Sequence, residues 1–134
     1  RAWFACTGAE LLARDVEDTL GRLAAAQADR GLSASVEQNE AWARAIAALQ
    51  EAVEANGGEG WTIALEYDLA RLEKRIDAVV LTDRVILVLE FKGRAIDAAA
   101  LRQVEDYALD LRDFHARSQA HPIIPILVAG EDFA

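Results

Sequence analysis

The chain has 134 residues, 53% of them apolar and 28% charged, with a formal net charge of −9. That length suits one domain with a real hydrophobic core, and that charge excludes a general polyanion-binding surface, so any nucleic acid would need a local basic track. No apolar run approaches the ~20 residues that cross a bilayer, and a single cysteine, Cys6, excludes an internal disulfide and a cysteine-based zinc cluster.

In chain order, residues 1–6 lack the apolar core of a signal peptide, so a cytoplasmic location is expected. The chain has no initiator Met and stops just after the strand-like run 123–128, so it is expected to be an ordered fragment of a longer protein. Its richness in Ala and preference for Arg over Lys suggest a bacterial source. Residues 9–29 carry Leu11, Leu12, Val16, Leu20 and Leu23 at helical spacing and predict one amphipathic helix ending near Gly31. Ser33 or Ser35 can cap the next helix, whose stripe is Trp42, Ile46, Leu49 and Val53 and whose end is Asn56-Gly57-Gly58. On that helix Gln38 faces inward with the stripe and Glu40 faces away.

Residues 61–69 alternate, with Ile63, Leu65, Tyr67 and Leu69 against Thr62, Ala64, Glu66 and Asp68, which predicts a half-buried strand. A polar connection at 70–74 leads into two apolar runs joined by Thr82-Asp83-Arg84, the pattern of a β-hairpin. After Gly93 comes a helix over 97–118 with Leu101, Val104, Ala108, Leu111 and Phe114/His115 along one side, then His121-Pro122 and a last strand. The order predicts one α/β domain over residues 1–134: N-terminal helices at 9–56, then a core at 61–134 whose mixed central sheet is flanked by helices.

The hairpin carries the chemistry. Glu90 and Lys92 sit on one face at the end of a continuously apolar strand, where burying either charge alone costs several kcal/mol (roughly). Asp77 lies on the paired strand. Mg²⁺ or Mn²⁺ wants hard oxygen ligands, and Asp77, Glu90 and the carbonyl of Phe91 can supply three. Lys92 can orient a metal-bound water and offset charge developing on a phosphate, which makes Asp77, Glu90 and Lys92 the candidate catalytic set for phosphodiester hydrolysis. Taken alone, the same triplet also fits a surface ion pair with a strand-end aspartate beside it. His115 and His121 have no second ligand nearby and read as structural. No P-loop or G-x-G-x-x-G occurs, so nucleotide binding is not supported.

A buried strand ending in Glu90-Phe91-Lys92 after a strand bearing Asp77 resembles the signature of the PD-(D/E)XK nuclease superfamily, which implies a restriction-endonuclease-like core. Gln103 and Tyr107 match the Q-x-x-x-Y motif of its RecB-like branch, and the resemblance implies that both face the substrate. The longer matches (Glu66-Tyr67, residues 74–77, 89–92, 103–111, Phe114-His115 and 125–128) resemble the N-terminal nuclease-like domain of bacterial proteins that also carry a C-terminal helicase-type ATPase. They imply DNA as partner, with RNA left open. Many superfamily members place a further metal-site Glu on the early core helix. Here Gln38, Ala45 and Leu49 hold the inward positions. Glu66 is the candidate substitute, or else a solvent-facing charge, and Arg75 is placed to contact phosphate or to pair with Glu66. The competing expectation is a non-catalytic nuclease-fold module for nucleic-acid docking, regulation or homodimerisation.

Overall fold

The computed structural model of the chain describes residues 1–69, 73–93, 97–114 and 121–130. Five strands form one mixed sheet in sequential order: β1 (Ala2–Thr7), β2 (Thr62–Leu69), β3 (Lys74–Leu81), β4 (Ile86–Lys92) and β5 (Ile123–Ala129). The first four strands run antiparallel, and β5 joins β4 in parallel after helix α4 (Ala98–Phe114). Helices α2 (Val16–Asp29) and α3 (Val36–Asn56) cover one face of the sheet and α4 covers the other, so two core clusters flank it. A mixed α/β domain was the expectation, and the stripe Trp42, Ile46, Leu49 and Val53 is buried as its spacing predicts.

Three expectations need correction. The N-terminal residues form an edge strand, β1, whose partner lies some 60 positions away in the sequence; Ala2 pairs with Tyr67 and Thr7 with Thr62. The single helix expected over 9–29 is two, α1 (Gly8–Ala13) and α2, separated by extended backbone at Arg14 and Asp15. Both starts are capped. Thr7 and Glu10 form a reciprocal capping box, and the Asp15 carboxylate accepts from the Asp18 N–H at 2.9 Å. Finally, β2 is not half-buried: Ile63, Ala64, Leu65 and Glu66 are all buried, because Ala64 packs toward α4 and Glu66 turns to meet Trp42 of α3.

The N-terminal segment is pinned to the start of β2. Gly8 donates its N–H to the Trp61 carbonyl at 2.8 Å, and a Cβ at Gly8 would overlap the Gly58 carbonyl, so glycine alone fits there. Ser35 caps α3, and Gly57, at φ +62°, ends it. The hairpin connection spans residues 82–85, with the Thr82 hydroxyl accepting from the N–H groups of Arg84 and Val85. His121 donates from Nε2 to the Asp83 carbonyl at 3.0 Å, which fits the structural role expected of it. Most of the 70–74 connection and the end of the last predicted helix, with His115, lie outside the described residues. Among the described residues, no helix is long and apolar enough to cross a membrane.

Candidate active site

Strand alternation slips at one level of the sheet, and the site forms there. On β2, Ile63 and Leu65 pack toward α2 and α3, whereas Ala64, Tyr67 and Leu69 pack toward α4. Strict alternation would send Glu66 toward α4 with Ala64. Instead Glu66 takes φ +52°, a sparsely populated conformation for a residue with a Cβ, and its carboxylate meets Trp42 of α3. The same slip occurs opposite on β3: Ile76 packs toward α4, while Asp77 and Ala78 both face α3. Two strands therefore place consecutive side chains on one side without losing register.

Strands β3 and β4 pair from Ala78↔Leu89 to Leu81↔Ile86, and beyond that point side chains replace the ladder. The Asp77 N–H donates to Glu90 Oε1 at 2.9 Å, and the Phe91 N–H donates to Asp77 Oδ2 at 2.8 Å. Each carboxylate thus holds a backbone amide of the other's strand. Burial and the charge of Asp77 push Glu90 up to about 8, against the pull of the Asp77 N–H and the Lys92 ammonium. Asp77 is raised as well, by burial, with the Phe91 N–H and Lys92 opposing. Both carboxyls therefore hold a proton more tightly than exposed carboxylates do.

Glu66 stands beside Asp77. Its Oε1 accepts from the Trp42 indole N–H at 2.8 Å and its Oε2 from Arg75 Nε at 3.3 Å; burial raises its pKa and the indole opposes that rise. Both oxygens are therefore engaged in holding Trp42 and Arg75. Among the described residues, no group of three or more His, Cys, Asp or Glu side chains is gathered to hold a metal ion. The carboxylates come as a close pair, Asp77 and Glu90, with Glu66 to one side.

Lys92 is half-buried, and its charge acts on both Asp77 and Glu90. The Phe91 backbone lies between Glu90 and Lys92, and its ring joins a cleft of about 170 Å³ with Glu66, Asp77, Gln38 and Trp42. Gln38 faces this cleft as expected, and its Oε1 accepts from Gln27 at 3.2 Å; Glu40 is exposed. From α4, Gln103 Nε2 donates to the Tyr107 hydroxyl oxygen at 2.8 Å, leaving the phenolic proton free to be given elsewhere. Tyr107 is buried, and burial followed by the charge of Glu90 raises its pKa, which places the ring near that carboxylate.

The structure brings together Asp77, Glu90 and Lys92, puts Tyr107 within range of the Glu90 charge with Gln103 bonded to its hydroxyl, and pairs Arg75 with Glu66. The sequence reading gave no site role to Trp42 or Trp3. Trp42 had a signal, since a tryptophan on a buried stripe needs an acceptor for its indole N–H, but alternation placed Glu66, the acceptor it finds, on the other face. Trp3 meets Trp42 edge-to-face at 6.4 Å and carries the Arg75 and Arg30 guanidiniums against its ring at 4.3 and 4.7 Å. Comparison of the chain with models of protein families, with characterised proteins and with solved structures found no match.

Proposed function

We propose that this domain is a Mg²⁺- or Mn²⁺-dependent nuclease with a restriction-endonuclease-like core, hydrolysing phosphodiester bonds of DNA beside a C-terminal helicase-type ATPase in the full protein. The observation that carries the reading is the reciprocal pair at the parting of β3 and β4. Glu90 is held by the Asp77 N–H and Asp77 by the Phe91 N–H, with Lys92 two residues beyond Glu90. The four antiparallel strands followed by a parallel one after α4 support the same reading.

The donor set fits a hard divalent cation. Both groups are oxygen ligands, each spends one oxygen on an N–H, and a cation between them would offset the burial that raises both carboxyls. Asp77, Glu90 and the Phe91 carbonyl would hold the ion, which when bound supplies Lewis-acid polarisation of a phosphoryl oxygen and a water of lowered pKa. Lys92 orients the attacking water and offsets charge that grows on the phosphate. Tyr107, its oxygen held by Gln103, keeps a proton to donate to Glu90 or to a phosphate oxygen. Glu66 acts through Trp42 and Arg75, fixing the wall of the cleft next to Asp77.

The test is cleavage of labelled DNA by the full chain with Mn²⁺, alongside calorimetric metal titration. Wild type should bind metal and cut, and Asp77→Asn and Lys92→Ala should not cut while keeping wild-type circular dichroism. Failure of wild type to bind Mn²⁺ and to cut DNA or RNA would sink the reading. One observation favours the alternative of a docking module: α3 lines the cleft with Gln38 and Trp42, not with an acid. That module would bind DNA equally well with and without divalent metal.

A further inference from the structure

The chain carries −9 overall, so a nucleic-acid strand needs a local positive feature to guide it to the carboxylates. One lies on the same level of the sheet. The registers of β1 with β2 and of β2 with β3 set Trp3, Glu66 and Asp77 abreast on three neighbouring strands. Trp3 is therefore two strands, about 10 Å, from Asp77. Its ring carries two guanidiniums, Arg75 from β3 at 4.3 Å and Arg30 from the end of α2 at 4.7 Å. Both are pre-ordered. Arg75 Nε is tied to Glu66, and Arg30 Nη1 donates to the Ala26 carbonyl at 2.8 Å. Among the described residues, the two Nη groups of Arg75 have no other acceptor, and Arg30 itself is exposed.

We propose that Arg30 and Arg75, stacked on Trp3, form a seat for one backbone phosphate of a DNA strand, a nucleotide or two along from the phosphodiester addressed by Asp77 and Glu90. The proposal rests on the nuclease reading of the carboxylate pair and adds how the strand is registered on it. Planar guanidiniums suit this task, because their spare N–H groups make charge-assisted bonds to phosphate oxygens while the stack fixes their planes. Even with Glu66 ionised, the trio of Arg30, Arg75 and Glu66 keeps one net positive charge. Trp3 sets the spacing, and Glu66 links it to the catalytic level through Arg75.

The experiment is fluorescence anisotropy of a dye-labelled single-stranded DNA oligonucleotide with the full chain, metal-free, across a salt series. Arg30→Ala should weaken binding roughly five- to tenfold and lower the salt slope by about one, as expected for one lost phosphate contact. Scanning a single neutral methylphosphonate linkage along the strand should reveal one position at which wild type and Arg30→Ala bind alike. Arg75→Lys, which keeps the charge but loses the stacked plane, should give a smaller loss at that same position. Arg30→Ala gives up its stack on Trp3 and its bond to the Ala26 carbonyl, so a small fall in melting temperature is expected; the change in salt slope, which a packing loss alone would not produce, separates the seat from a packing role. An unchanged slope in Arg30→Ala, from a wild type that binds and cuts, overturns the seat alone. A wild type that neither binds nor cuts overturns the nuclease reading, and the seat with it.

Discussion

Replacing Glu90 by glutamine should stabilise the metal-free protein at alkaline pH while abolishing its response to metal. Glu90 is 5% exposed and its pKa stands at about 8, against 4.5 for an unperturbed glutamate. Between those values the folded state binds the proton and the unfolded state has released it, so stability falls as pH rises through the window. The limiting slope of ~1.4 kcal/mol per pH unit sets a ceiling of ~5 kcal/mol across it. Sharing the charge with Asp77 and admitting water should bring the realised loss to about 2–3 kcal/mol. For a domain of this size that corresponds to roughly 8–12 °C in melting temperature. The amide introduced by Glu90→Gln has no proton to lose, can still accept the Asp77 N–H, and can donate to the Asp77 carboxylate. Thermal melts of both proteins without metal should therefore nearly coincide at pH 5 and separate progressively to pH 9, with Glu90→Gln the more stable. At pH 8, Mn²⁺ at ~100 times its dissociation constant should raise wild-type stability by about 2.7 kcal/mol and leave the variant unmoved. Melting curves that stay parallel with pH, or a variant less stable than wild type at pH 9, would refute the raised pKa of the buried Glu90.

Other substitutions test separate parts of the arrangement. Lys92→Ala should lower the cleavage rate by roughly 10²–10³ in single-turnover assays with little change in metal affinity, because it removes charge stabilisation without removing a ligand. Trp42→Phe should cost about 1–3 kcal/mol in chemical denaturation, since it leaves the buried Glu66 carboxylate without its 2.8 Å donor. Gly8→Ala should cost about 1–3 kcal/mol in the same assay, because a Cβ there overlaps the Gly58 carbonyl and forces α1 away from β2. Tyr107→Phe should retain stability to within about 1 kcal/mol yet slow cleavage, which would separate the hydroxyl's role from the ring's packing.

The residues that gather at the site were easier to pick out in the sequence than the architecture around them. Charges inside an apolar strand are rare enough that Asp77, Glu90 and Lys92 stood out, and the α3 stripe followed from its spacing alone. Strand β1 was hidden because six residues carry little periodic signal and their partner is remote. The break between α1 and α2 was legible in Thr7-Gly8-Ala9-Glu10 and in Asp15, but the apolar spacing of Leu11, Leu12 and Val16 runs straight through it. The conformation of Glu66 could not be read at all. A positive φ is usually announced by Gly or Asn, and here a glutamate adopts it under the hold of Trp42 and Arg75. Alternation therefore assigned Glu66 to the face it does not occupy.

That slip also explains the charge balance of the row. Turning Glu66 toward α3 gives it two donors, an indole N–H and a guanidinium, so its negative charge is matched locally. Asp77 has the Phe91 N–H and a share of Lys92. Glu90 has the Asp77 N–H and the remaining share of the same ammonium, and it retains its proton up to about pH 8. One lysine cannot neutralise two buried carboxylates. Arg75, held by Glu66 and stacked on Trp3, also pulls on Asp77, yet burial still raises both Asp77 and Glu90. A fold built only for stability would do better with an amide in place of the Glu90 carboxyl. Retaining the acid there, at a cost in stability, is consistent with the proposed cation site.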